Sequence, residues 1–254
     1  METEKNTFTL REHLEELRKR LIYSSAAVVI TTAISFVFVP RIFEVIKSRA
    51  PEDIEFIYIN VTEGISVYFK VALLMGLALA LPFLVYQAVM FIRPALYKRE
   101  LLYLRLALPA VFLFFAAGVV FAYFILVPPA MQFLLDNSFL TDIATPQIKI
   151  GNYVSTVAKL IFGMGLAFEL PLVLYMLAKI GVVTAEGLAS KWRIAIVGSF
   201  VLAAIITPTP DPINQSLVAG PLILLYFTGI LFARVAQRHP VRQQNMVPAL
   251  GEES

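Results

Sequence analysis

The chain of 254 residues contains no cysteine, two histidines and one tryptophan, and only 15% of it is charged. Without cysteine there are no disulfides, no thiolate metal ligands and no thiol nucleophile. His13 and His239 leave little for imidazole chemistry. The low charge is matched by a 59% hydrophobic content and a mean hydropathy of +0.77. A soluble domain averages about 45–50% apolar and about 25% charged residues. Folded in water, this composition would leave large apolar patches exposed. Disorder needs low hydrophobicity and high net charge, so it is excluded as well. A multi-spanning membrane protein remains.

A bilayer core needs roughly 20 apolar residues of helix. Runs free of Asp, Glu, Lys and Arg cover 21–39, 71–92, 106–135, 194–210 and 212–233, and 160–178 is broken only by Glu169. Runs that are apolar throughout are helical, because barrel strands alternate polar and apolar residues. The expected fold is therefore an all-α integral membrane protein with six transmembrane helices. They are predicted at about 21–39, 68–92, 104–127, 154–178, 194–208 and 213–233. Pro128-Pro129 is expected to end the third. One transmembrane domain, 1–238, is followed by a disordered polar tail, 239–254. The first 20 residues mix acids and bases and lead into a 19-residue apolar run, too long for the core of a cleaved signal peptide.

Lys and Arg set the orientation. The side holding both termini receives five of them before span 1, including Arg11 and Arg18, and Arg93, Lys98, Arg99 and Arg105 between spans 2 and 3. It also takes Lys179, Lys191 and Arg193, then Arg234, Arg238 and Arg242 in the tail. The other side holds Arg41, Lys47, Arg49 and Lys149. Both termini are expected in the cytoplasm, and the net charge of +3 reflects this asymmetry rather than nucleic-acid binding.

Some residues break the membrane rules. Glu169 lies within a span, where an acid costs at least about 2.5–3.5 kcal/mol by insertion scales. Pro171 follows two residues later and frees the carbonyl of Ala167. This combination points to a functional intramembrane site, with an ion pair to Lys70 or Lys159 as the structural alternative. Both lysines otherwise read as snorkelling to an interface. Pro82, Pro109, Pro171 and Pro221 kink the spans. Span 5 has room for only about 14 helical residues. Leu10, Leu14, Leu17 and Leu21 form one stripe of an amphipathic helix that runs into span 1. Glu16 and Arg20 on its polar side are spaced for an i,i+4 pair. Glu16 and Glu100 are isolated acids on a basic face.

With these residues in place, the chain resembles the TatC family, the multi-spanning subunit of the twin-arginine protein translocase. The motifs that carry the likeness are His13-Leu14-Glu15-Glu16-Leu17-Arg18-Lys19-Arg20-Leu21, Leu81-Pro82 with Tyr86-Gln87, and the loop Phe91-Ile92-Arg93-Pro94-Ala95-Leu96-Tyr97-Lys98-Arg99-Glu100. Phe121-Ala122-Tyr123-Phe124, Phe168-Glu169-Leu170-Pro171, Thr207-Pro208, Asp211 and Gln215 continue it in order. The resemblance implies a curved, glove-like bundle of kinked helices in the bacterial cytoplasmic (inner) membrane. It also implies recognition of twin-arginine signal peptides on folded precursors, followed by export driven by the proton-motive force. By the same resemblance, Glu16 and Glu100 bind the arginine pair, with Arg18, Arg93 and Pro94 around them. Carboxylates suit this task because guanidinium binds them in a fork that lysine cannot reproduce.

Glu169 is then the polar site inside the bundle. The resemblance also implies that Asp211 and Gln215 mark the outer turn where the single-span partners TatA and TatB bind, with other copies of the chain and membrane lipid as further partners. One departure is Leu225-Tyr226-Phe227, where many relatives carry an acid after the aromatic. The reading assigns no catalytic residue, metal, cofactor or nucleic acid. A proton-coupled small-solute transporter using Glu169 is the alternative, although such folds carry paired broken helices in two repeats. An intramembrane protease lacks both a histidine within a span to serve as base and a His-Glu-x-x-His zinc motif.

Overall fold

The computed structural model describes residues 10–50, 56–57, 62–92, 100–135, 148–207 and 211–237. Helix α1 (Leu10–Ser35) is continuous from the amphipathic segment into the membrane. It closes in tight turns, with Val37 and Phe38 N–H donating to the carbonyls of Ile34 and Ser35. Pro40 then sits in the first turn of α2 (Val39–Lys47), the helical position where a missing N–H costs least. Four residues back, the carbonyl of Phe36 loses its helical donor, and the Tyr68 hydroxyl supplies one at 2.9 Å. The two helices are bent by 68°. Span 1 therefore ends earlier than the apolar run 21–39 suggests, and α2 folds across the end of the bundle with Val39 and Ile46 buried.

Span 2 is α3 (Glu63–Ile92). Span 3 begins as α4 (Glu100–Phe121), passes through a π-helical turn (Ala122–Leu126) and continues as α5 (Val127–Leu135). The expectation that Pro128-Pro129 ends this helix is wrong. The Val127 N–H reaches back five residues to the Ala122 carbonyl. The wide turn absorbs the register change just before two residues that have no N–H, so the prolines enter as the first turn of α5.

Span 4 breaks, as Pro171 predicts, into α6 (Ile150–Ala167) and α7 (Leu170–Lys179). Helix α7 ends at Gly181, whose φ of 78° only glycine adopts without strain. Val182 and Gly181 N–H donate back to Leu177 and Ala178 carbonyls, closing the helix end. A short α8 (Ala185–Ser190), capped by Thr184, leads to α9 (Trp192–Ile206) and α10 (Pro212–Gln237). The segments before α3 and α6 pair as two short parallel strands, β1 (Phe56–Ile57) and β2 (Ile148–Lys149).

Among the described residues, four spans are long and apolar enough alone, and the bent α1–α2 pair makes a fifth. Helix α9 is the sixth apolar helix. Its 15 residues span about 22 Å, short of the hydrocarbon core. Helix α6 forms the centre, with Val154, Val157, Leu160 and Met164 buried among residues of α2, α3, the π turn, α5 and α10. The helices approach closely through small residues, as membrane packing favours. A Cβ on Gly118 of α4 would lie 2.7 Å from the Met164 carbonyl oxygen on α6. Gly118→Val is accordingly expected to cost about 1–3 kcal/mol, read as a lower thermal midpoint of the purified protein in detergent.

Candidate functional site: carboxylates at one end of the bundle and inside it

Helix α1 brings Glu16 against α3 at the end of the bundle where His13 stacks on Phe91, with ring centroids 4.4 Å apart. Arg20, one turn on, donates to Glu16 Oε1 from Nε at 3.1 Å and from Nη2 at 2.6 Å. Its remaining arm, Nη1, donates to Gln87 Oε1 at 3.0 Å. Gln87 is a buried amide in an otherwise apolar stretch of α3. Burial fixes its side chain, which fixes Arg20, which holds the Glu16 carboxylate at the α1–α3 seam. The predicted i,i+4 pair is thus present and is also tied to a second helix. Gln87 appears in the sequence only within a motif. An amide in a charge-free run was the signal that could have marked it as a site residue.

Replacing Gln87 with Leu removes the acceptor for a charged donor. The expected loss is about 1–2 kcal/mol, a drop of a few degrees in thermal midpoint, with helical content unchanged by circular dichroism.

Arg18 is exposed on α1. Glu100 opens α4, eight positions beyond the end of α3. Its side chain, with Arg93, Pro94 and the tail 239–254, lies outside the described residues.

Glu169 sits in the break between α6 and α7 at 5% exposure. Its backbone is well used: its N–H donates to Leu166, and its carbonyl accepts from Val173 at 2.9 Å. Its side chain makes no cap bond to α7, and its Oε1 is buried with no hydrogen-bond partner. The ion pair with Lys70 or Lys159 does not form; among the described residues the one salt bridge is Glu16–Arg20. Aromatic rings close over the break, with Phe168 against Phe121 at 5.4 Å. A buried acid with an unused oxygen is costly in any protein and more so in a bilayer.

Asp211 and Gln215 have local roles at the other end. Asp211 accepts the Asn214 N–H at 2.7 Å and its side-chain amide at 3.1 Å, capping α10. Gln215 donates to the carbonyl of Phe200 on α9 at 2.9 Å. The sequence reading missed Asn214, which is buried with an unpartnered Oδ1. It also missed Arg49, whose guanidinium lies 4.3 Å from the Tyr123 ring and 4.7 Å from that of Phe124. Those contacts pin α2 to the π-helical turn through cation–π attraction.

The fold defines a polytopic helical membrane protein with few charges inside its spans. Residues 12–221 match the family model "Sec-independent protein translocase protein (TatC)". The chain belongs to the TatC family. It is 42% identical over 233 residues to the protein of that name from Aquifex aeolicus, covering 90% of this chain and 96% of the relative. It is 37% identical to the Carboxydothermus hydrogenoformans protein, covering 91% and 95%. A solved structure described as "Crystal Structure of Twin Arginine Translocase Receptor- TatC" superposes with a TM-score of 0.80. That match has 41% identity and covers 89% of this chain and all of that one.

Proposed function

We propose that this chain is the receptor subunit of a twin-arginine translocase, binding the twin-arginine signal peptides of folded precursors and nucleating their export. The observation that carries the reading is the Glu16–Arg20 pair. This carboxylate already holds a guanidinium through two N–H groups on one oxygen, the chemistry an arriving arginine needs. Glu100 is assigned the second arginine, and Arg18, Arg93 and Pro94 shape the surrounding surface. The neighbouring basic residues repel generally basic ligands and leave the two acids as local exceptions.

Glu169 is assigned to contact the inserted signal peptide or a partner helix. Asp211 and Gln215 border the surface for TatA and TatB, and further copies of the chain assemble beside it in the lipid. The distribution of Lys and Arg supports both termini in the cytoplasm and residence in the bacterial inner membrane. The family relationship supports a binding role rather than catalysis.

The test is complementation. Cells lacking their own TatC should export a folded reporter bearing a twin-arginine signal when this chain is supplied, together with TatA and TatB from its source. Reporter retained in the cytoplasm in that strain, with the chain present in the membrane, rejects the proposal.

No observation favours a solute transporter. A second break between helices separates α1 from α2, but at residues 36–38 it holds only Phe36, Val37 and Phe38. It offers no titratable partner to Glu169 in a matching half.

A further inference from the structure

At the end of the bundle away from Glu16, the first turns of α3 and α6 border an open-mouthed cavity of about 260 Å³. Ser66 and Lys70 line it from α3, Lys149 from β2, and Asn152 and Ser155 from α6. Glu63, the acid in its wall, accepts the backbone N–H of Gly151 at 3.2 Å and so closes the start of α6. Among the described residues, neither lysine has a carboxylate within ion-pairing distance, because the only salt bridge is Glu16–Arg20.

Snorkelling explains one lysine at an interface. It does not explain two that line the same polar cavity, where Glu63 offsets only one of the two charges and hydroxyl and amide groups stand ready to donate. A bound anion offsets the remaining positive charge and uses those donors. Lysines act as point-charge binders of phosphate, and the N-terminus of α6 adds positive potential. Both apolar spans begin here, the end of a spanning helix that meets lipid headgroups, and the cavity far exceeds the roughly 30 Å³ of one water.

We infer that this cavity is a phosphate-binding site, occupied by the headgroup of an anionic phospholipid in the leaflet at this end of the bundle. The site is independent of the signal-peptide reading.

Native mass spectrometry of the purified full-length protein tests it, with phosphatidylglycerol and phosphatidylcholine of identical acyl chains. Phosphatidylglycerol is expected to be retained preferentially. A Lys70→Gln/Lys149→Gln double variant should lose that retention about tenfold or more. The Lys70→Arg/Lys149→Arg variant should keep it, as should Lys159→Gln, whose lysine lies outside the cavity. The double glutamine variant must keep the wild-type thermal midpoint; if it does not, each single variant is read in its place. Displacement of the lipid by millimolar inorganic phosphate would support the same site with free phosphate as a competing source. Equal retention of the two lipids by the wild type, or unchanged phosphatidylglycerol retention in the glutamine variants, overturns the inference.

Discussion

A Glu16→Gln variant is expected to bind a twin-arginine signal peptide about 10- to 100-fold more weakly than wild type, with no change in fold. Hydrogen bonds to a charged group contribute roughly 1.5–3 kcal/mol, and 1.4 kcal/mol is tenfold in affinity. Glutamine keeps the size and one acceptor oxygen but loses the charge that favours guanidinium. Arg20 is expected to remain on Gln87, since that bond involves a different arm of its fork. A binding isotherm on protein reconstituted in nanodiscs reads the change. Affinity within twofold of wild type would remove Glu16 from the site and leave the i,i+4 pair as a solvated helix contact worth a few tenths of a kcal/mol.

Glu169→Leu is expected to separate stability from function. The wild-type side chain is buried with one oxygen unpartnered, at a desolvation cost of about 1–3 kcal/mol. Leucine removes that cost at similar volume, so the thermal midpoint in detergent should rise by a few degrees. Export of a twin-arginine reporter should fall at least tenfold in the same variant. The opposite pairing, a lower midpoint with proportionate loss of export, would make Glu169 a structural residue. A group that lowers stability and is nevertheless present at the break of a span is most simply explained by use.

The parts of the fold legible in the sequence were those set by composition and by single prolines. Apolar runs mark the spans because the bilayer core fixes the length of helix that crosses it. Pro171 marks the break beside Glu169, and the Leu10-Leu14-Leu17-Leu21 stripe marks the extension of α1 before the membrane. Pro128-Pro129 misled because its effect depends on the preceding backbone: a π-helical turn at 122–126 takes up the mismatch, and no residue type announces one. At the 68° bend after Ser35, the Phe36 carbonyl that Pro40 leaves without a helical donor is satisfied by Tyr68, a residue 32 positions away. Such a distant pairing leaves no local pattern.

The candidate site divides in the same way. Glu16 and Arg20 are readable because helical spacing brings i and i+4 together. That Gln87 holds Arg20 requires knowing which face of α3 meets α1, and an apolar helix in lipid has little amphipathic signal to say so. Asp211 reads in the sequence as an outer-turn residue, and only the structure shows that its carboxylate also caps α10. The cavity of Lys70 and Lys149 joins residues 79 positions apart, which each read alone as interfacial anchors.

The central claim, that acids on α1 and at the start of α4 select paired arginines, is tested most directly by one comparison of affinities. Two signal peptides differing only in Arg-Arg against Lys-Lys are titrated onto the purified wild-type protein in nanodiscs at fixed ionic strength. Both carry the same charge, so only the fork geometry of guanidinium distinguishes them. The Arg-Arg peptide is expected to bind at least tenfold more tightly. Equal affinity for the two peptides would contradict the assignment.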